Sequence, residues 1–298
     1  MPPVNLGKVE NRGYEFKVGY NGRAGDVTFN VGANAGYAKN KVIFWDESPS
    51  VPEWQLATGH SFGTNGYNFL AYQYDGVFKD QKEIAANTID YSAATGKLLP
   101  GDMKFKDVNG DNKINGLDQR PIGYGYGTQP MINFGFNIAA YYKGFDFHAD
   151  FSGAANYTWY QNWEQRWAFQ NNGNLNAIFE DRWHRSNIYD PNSAWVPGKY
   201  PPNRYNPGFG HSDYAIQSTF WLHNVHYIRA RTIELGYTIP QTILSKAKIQ
   251  QARVYINAYD LFSIDNLHEF GVDPEVVDDN GLQFPQNRVI NVGINLSL

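Results

Sequence analysis

The sequence predicts an all-β protein: an antiparallel transmembrane β-barrel segment of about nine strands of a larger barrel, with long extracellular loops and short periplasmic turns. Three observations carry this. Apolar and polar residues alternate with period two on both sides of tight turns. The 298-residue chain is rich in strand formers, with 21 Tyr, 19 Phe and 8 Trp beside 29 Gly. Its mean hydropathy is -0.53 and it holds no long apolar run, so helical spans are excluded. A barrel tolerates such polarity because only alternate strand residues face lipid.

The clearest stretch runs from Met131 to Trp159. Ile132, Phe134, Phe136, Ile138, Ala140 and Tyr142 alternate with Asn133, Gly135, Asn137 and Ala139. After Lys143-Gly144, Phe145, Phe147, Ala149, Phe151, Gly153, Ala155, Tyr157 and Trp159 alternate with Asp146, His148, Asp150, Ser152, Asn156 and Thr158. A two-residue connection pairs Tyr142 with Phe145 and puts every apolar residue on one face. Strands of roughly 10 residues with an apolar band and aromatic ends suit a tilted bilayer crossing.

The other elements follow in order. Tyr14, Phe16, Val18 and Tyr20 form one strand, and Gly22-Arg23-Ala24-Gly25 turns it. Val27, Phe29, Val31, Ala33, Ala35 and Tyr37 form its partner. Residues 39–52 read as a loop, 53–60 as a weak strand, 61–66 as a turn. Residues 67–78 read as a further strand, with Leu70, Tyr72, Tyr74 and Phe78 on one face. Two long loops, 79–130 and 160–224, flank the central hairpin. In residues 225–237 the apolar phase switches between Ala230 and Ile233, which predicts a β-bulge near Arg231-Thr232. Residues 239–250 connect, with a helical turn after Pro240. Ala252, Val254, Ile256 and Ala258 mark the next strand, and 263–286 a loop. Ile290, Val292, Ile294, Leu296 and Leu298 mark the last strand, with Asn291, Gly293, Asn295 and Ser297 on its polar face.

Short connections alternate strictly with long ones. A soluble two-sheet sandwich has no reason to gather its long loops at one end, whereas a membrane barrel does. The alternative, a soluble calcium-dependent carbohydrate-binding β-sandwich, shares the alternation but buries the apolar face. The odd strand number and the unpartnered first strand mean that the chain by itself does not close a barrel of the usual even-stranded type. Residues 1–5 have neither a basic start nor an apolar core, so either the protein is cytoplasmic or this is a piece of a longer precursor, and the strand patterning favours the second. A net charge of -4 without a basic run gives no reason to expect nucleic acid. The absence of Cys excludes disulfides and Cys-zinc chemistry.

Several segments resemble the SusC/RagA family of TonB-dependent outer-membrane transporters. They are Asn11-Arg12-Gly13-Tyr14-Glu15, the run from Gly101 to Asp111, and Ser218-Thr219-Phe220-Trp221-Leu222. Tyr227-Ile228-Arg229, the run from Ile233 to Pro240 and the run from Val254 to Phe262 complete the set, in family order. The resemblance implies a barrel of roughly 22 strands with a plugged lumen, of which residues 1–298 are the C-terminal part. It implies the outer membrane, import of oligosaccharides or peptides, a SusD-like lipoprotein partner, and energy drawn from TonB through the plug domain and N-terminal strands.

Asp107, Asn109, Asp111, Lys113 (by its carbonyl), Asn115 and Asp118 have the spacing of a twelve-residue calcium loop and resemble the dockerin form, ending in Asp. Asn112 stands where the usual Gly would be. The competing reading is an Asx-rich turn without metal. Trp163, Trp167, Trp183, Trp195 and Trp221 surround one long loop, and flat aromatic faces stack on sugars. Equally, such residues pack loops or anchor a lid protein. His223 and His226 lack a third ligand at zinc spacing. Glu164 with Asp181, and Asp278 with Asp279, are acidic pairs that solvation explains. No hydrolase or zinc-protease motif is present, so no enzyme is expected.

Overall fold

The computed structural model describes residues 6–62, 70–124, 129–169, 173–203, 213–276, 280, 282–284 and 286–297. Seven long strands build one sheet: β1 (Lys8–Ala24), β2 (Val27–Phe44), β3 (Ile132–Tyr142), β4 (Phe145–Tyr160), β5 (Leu222–Thr238), β6 (Gln251–Tyr259) and β7 (Val289–Ser297). They pair in chain order, each antiparallel to the last, and β1 and β7 are left as the two ends of the path. The sheet is not closed. A short strand, Ser263–Asp265, continues along β5 beyond the end of β6. Among the described residues no helix is long and apolar enough to cross a membrane.

Register converts the local alternation into a continuous belt. Phe16 pairs with Ala35, Ala35 with Phe134, and Phe134 with Gly153. Further along the strands, Phe147 pairs with Leu235, Leu235 with Ile256, and Ile256 with Val292. Because a one-residue slip would send each side chain to the other face, these pairings hold one apolar surface across all seven strands. Phe16, Val18, Phe136, Ile138, Leu235, Ile256, Val292 and Ile294 are exposed on it. Phe136 and Phe151 stack there with ring centres 4.4 Å apart. Among the described residues no second sheet covers the belt, whereas the sandwich alternative requires one. A sheet greasy outside and polar inside, with backbone bonds spent strand to strand, is the way a β-protein crosses lipid.

The tight turns fall where expected. Lys143-Gly144 closes β3 to β4 with Tyr142 opposite Phe145, and both turn residues have positive φ. The first turn is Gly25-Asp26, later than the 22–25 expectation, because β1 and β2 stay paired out to Ala24 and Val27. After Pro240, Gln241–Leu244 forms the expected helical turn. The bulge of β5 is at Arg231: Ala230 pairs with Phe151, Thr232 with Asp150, and Arg231 is left over.

Two expectations need correction. Residues 53–60 and 67–78 are not wall strands. Glu53–Gln55 is a single 3-10 turn. Leu70–Ala71 and Tyr74–Val77 are short strands of loop sheets, pairing with Arg120–Pro121 and Met103–Phe105. Residues 63–69, which contain the start of that expected strand and most of the expected 61–66 turn, lie outside the described residues. The wall thus holds seven strands. The alternation of short and long connections survives, since the two lost strands were consecutive. The second correction concerns Tyr157 and Trp159. β4 carries a bulge at Asn156, whose φ is 59°, so Ala155 pairs with His226 but Tyr157 with Val225. Beyond the bulge, Tyr157 and Trp159 therefore point to the polar side and are buried there.

The long loops between β2 and β3 and between β4 and β5 pack on each other beyond the sheet. Phe78, Tyr91, Met103, Phe105, Ile114, Phe179, Tyr214 and Trp221 form the buried centre of this loop globule. Asp80 caps a short helix, Gln81–Ala86, by accepting from Glu83 N–H at 2.8 Å.

Candidate functional site

The polar face of the sheet changes character across its width. On β2 and β3 it is mostly Asn and Gly: Asn30 pairs with Asn21, Gly32 with Gly19, and Gly135 with Asn34, while β1 adds Glu15 and Lys17 opposite Gly36 and Asn34. Asn137 Nδ2 donates to Asn30 Oδ1 at 3.2 Å. From β4 to β6 the same face carries bonded charge. Arg253 Nη2 stands 2.6 Å from Glu234 Oε1, and Asn257 Nδ2 donates to Glu234 Oε2 at 3.2 Å. Asn291 Nδ2 donates to Asn257 Oδ1 at 3.0 Å, so the ladder reaches β7. This confirms the facing of the last strand: Asn291 lies on the polar side, and Ile290, Val292, Ile294 and Leu296 lie opposite it, in register with Ala258, Ile256, Val254 and Ala252. Leu298 lies outside the described residues.

Further toward the long loops, Arg229 and Arg231 enter the same face. Arg229 Nη1 stands 2.8 Å from Glu275 Oε2, and its Nη2 2.6 Å from Asp273 Oδ2. Arg231 bonds Glu275 as well, sits 3.2 Å from Asp260, and donates to Ser152 Oγ at 2.7 Å. Arg229 and Arg231, two positions apart, share this face by ordinary alternation, and the bulge at Arg231 then brings Thr232 and Glu234 onto it as well. The segment 266–276 thereby folds back over the polar face. Its Leu267, Phe270 and Val272 pack on Trp159, Tyr157 and Val225. Beside it a cleft opens, lined by Arg229, Asp273, Ser263, Asp265, His268 and Gln283. Sequence reasoning missed this cluster. The signal present was the charged phase of β5, where Arg229 interrupts a run of apolar neighbours.

The five tryptophans do not line one path. Trp221 is fully buried in the loop globule, its Nε1 donating to the Asp213 carbonyl at 3.1 Å. Trp183 is buried against Gly101, where a Cβ would meet its ring. Trp167 is partly buried and donates to the Tyr214 carbonyl. Trp195 is half-buried under the Arg185 guanidinium, 4.3 Å from its ring centre. Trp163 is 42% exposed, edge-on to Trp167 at 4.9 Å. Nearby, burial pushes the Tyr91 phenol up to about 12, and its oxygen accepts from Phe105 N–H at 3.1 Å.

In the 107–118 loop the carboxylates serve the backbone. Asp107 accepts from Gly110 and Asn112 N–H at 2.7 and 2.8 Å. Asp111 accepts from Lys113 N–H at 2.8 Å. Asn115 caps the short turn at Gly116–Asp118, accepting from Leu117 N–H at 2.9 Å. Buried Asp118 accepts from Val108 N–H at 2.9 Å and Asn115 N–H at 2.8 Å. Asn112 takes the left-handed conformation, φ 59°, that its position requires. Among the described residues no three His, Asp or Glu side chains gather as a metal site. Calcium at this loop therefore rests on spacing alone. His223 stacks on Trp159 and meets Gln161 at 3.1 Å. Asp278 and Asp279 lie outside the described residues.

Fold and site together define a segment of a transmembrane β-barrel wall, lipid-facing on one side and lumen-facing on the other. No family model matches the chain. It is similar to TonB-dependent receptor P3 of Formosa agariphila, 25% identical over 98% of this chain and 29% of the relative. It is likewise similar to TonB-dependent receptor P26 of the same organism, 25% identical over 97% and 27%. Among solved structures, the RagAB peptide importer in its open-open state superposes with a TM-score of 0.65 at 19% identity, over 99% of this chain and 29% of that one. The chain thus spans under a third of the length of these relatives. In sequence the chain is similar to TonB-dependent receptors and in fold to the RagAB importer, and its place is the outer membrane. These relatives are named as receptors and as an importer.

Proposed function

We propose that the chain is the C-terminal wall, with its outer loops, of a SusC-like TonB-dependent importer of oligosaccharides or other nutrients. The observation that carries this reading is the belt: apolar and exposed on seven strands, backed by a face of Asn, Gly and bonded charge. Such a wall suits lipid outside and a water-filled or plugged lumen inside. The names of the relatives support TonB as the energy source, reached through the plug in the rest of the polypeptide. The RagAB likeness supports a lipoprotein partner of the SusD kind over the loop globule.

For the substrate, two chemistries are favoured by different observations. Trp163 offers an exposed aromatic face for a sugar ring. The cleft of Ser263, Asp265, His268 and Gln283 offers the hydrogen-bonding groups that a glycan or a peptide needs. The deciding experiment uses the full-length protein in cells, with uptake of labelled oligosaccharide and peptide pools measured with and without TonB. TonB-dependent accumulation of one pool is expected. Entry of neither, or entry indifferent to TonB, overturns the reading.

A further inference from the structure

We propose that residues 266–276 are a strap latched inside the lumen, held by Arg229 and Arg231 on the carboxylates of Asp273 and Glu275, and that it comes off the wall as a unit when that latch is broken. The inference rests on the assignment of the polar face to the lumen.

Three features separate a strap from an ordinary surface loop. It is docked on two kinds of contact at once. Leu267, Phe270 and Val272 are buried on the wall side, and the ion pairs lie beside them with Arg229 only 4% exposed. Both prongs originate on β5 and meet two carboxylates two positions apart on the strap, while Glu269 at its other end pairs separately with Lys199 at 3.2 Å, on the loop side. The strap is tied there by two tyrosines as well: the Tyr157 hydroxyl donates to the Pro274 backbone carbonyl, and the Tyr227 hydroxyl to the Glu275 side chain, Oε1, at 2.7 Å.

A latch of this type is two-state by construction. A buried arginine is held by its carboxylates, and removing one partner leaves an uncompensated charge that only water can satisfy. The cleft that Arg229 and Asp273 help to line is the route by which water reaches it. The wall strand does not have to yield, because β5 is hydrogen-bonded on both edges to β4 and to β6 with its continuation Ser263–Asp265. The strap is tied only at its side chains and at a few backbone groups. Loss of the charges therefore lifts the strap and leaves the sheet intact. Gly271, at φ 66°, gives it a turn free of Cβ strain.

The test uses the full-length protein, to which this chain contributes no cysteine. Val272→Cys puts a near-isosteric thiol under the strap, where Val272 is buried. Ile188→Cys, on an exposed loop where Ile188 is 72% accessible, is the reference. Maleimide labelling from outside is timed in the parent background, with Asp273→Asn/Glu275→Gln, and with Arg231→Gln, which keeps the strap's own sequence. Labelling at 272 is expected to rise at least about tenfold in the double variant and less in Arg231→Gln, with the 188 reference unchanged. Heat-modifiable gel mobility reports that the barrel is folded. Equal labelling at 272 in all three folded backgrounds overturns the strap. Fast labelling at 272 already in the parent background also overturns it. Uptake assays read the importer assignment separately, so failure of that assignment leaves this result standing.

Discussion

Arg253 of β6 passes over Gly236 of β5 and meets Asp146 of β4, its Nε 3.0 Å from Asp146 Oδ1. One side chain thus ties three strands on the luminal face, and the absence of a side chain at 236 makes the crossing possible. A Cβ there would lie 2.2 Å from Arg253 Nη2. Gly236→Ala is expected to displace the guanidinium and lower barrel stability by about 1–3 kcal/mol, the scale of a charged hydrogen bond. In a double-mutant cycle with Asp146→Asn the two losses should be far from additive, because both remove the same contact. Urea unfolding in detergent or lipid measures it. Additive losses would mean that the contact carries no stability.

The last strand tests the facing of the whole sheet. Ile294 is opposite Val254 on the apolar belt, and Asn295 is opposite Arg253 on the luminal face. In the full-length protein, Ile294→Arg is expected to cost about 2–4 kcal/mol if the residue lies near the bilayer midplane. Asn295→Arg, facing water, is expected to be milder despite its cationic neighbour. Heat-modifiable mobility and surface protease protection score both. Greater damage from Asn295→Arg would reverse the assignment of the two faces.

The tryptophans divide into packing and exposed residues, and substitution separates the two. Trp221→Ala empties the centre of the loop globule and is expected to cost about 3–5 kcal/mol of its stability. Trp163→Ala should leave the fold alone and weaken oligosaccharide uptake. Proteolysis of the outer loops reads the first, and transport the second. Normal uptake in a folded Trp163→Ala protein would remove the sugar-stacking role.

Calcium at the 107–118 loop is decided by metal analysis of the folded protein. The spacing predicts one bound ion, lost in Asp107→Ala and Asp111→Ala. No calcium at millimolar supply would sink that expectation. Asp118→Ala damages the loop in either case, by about 1–3 kcal/mol, because it orphans the Val108 and Asn115 N–H groups that its buried carboxylate accepts from.

What the chain determines by itself is the wall. In β1 to β4 and in β6 and β7 the period of two is a local property, set by side chains pointing alternately to opposite faces of a pleated strand. The β5 bulge was equally legible, since Ile228 and Ala230 fall in one phase and Ile233, Leu235 and Tyr237 in the other. The same signal misled at residues 67–78. Tyr72, Tyr74 and Phe78 alternate because they pack inside a loop globule, and alternation does not say whether lipid or protein is the apolar neighbour. Tertiary structure also decided the upper end of β4. One left-handed residue, Asn156, turns Tyr157 and Trp159 from the lipid to the lumen, and an Asn in a strand does not announce its φ. The strap was beyond reach of any local reading. Arg229 and Arg231 meet Asp273 and Glu275 across 44 to 46 residues of chain, and charges at that separation are paired by the path of the backbone.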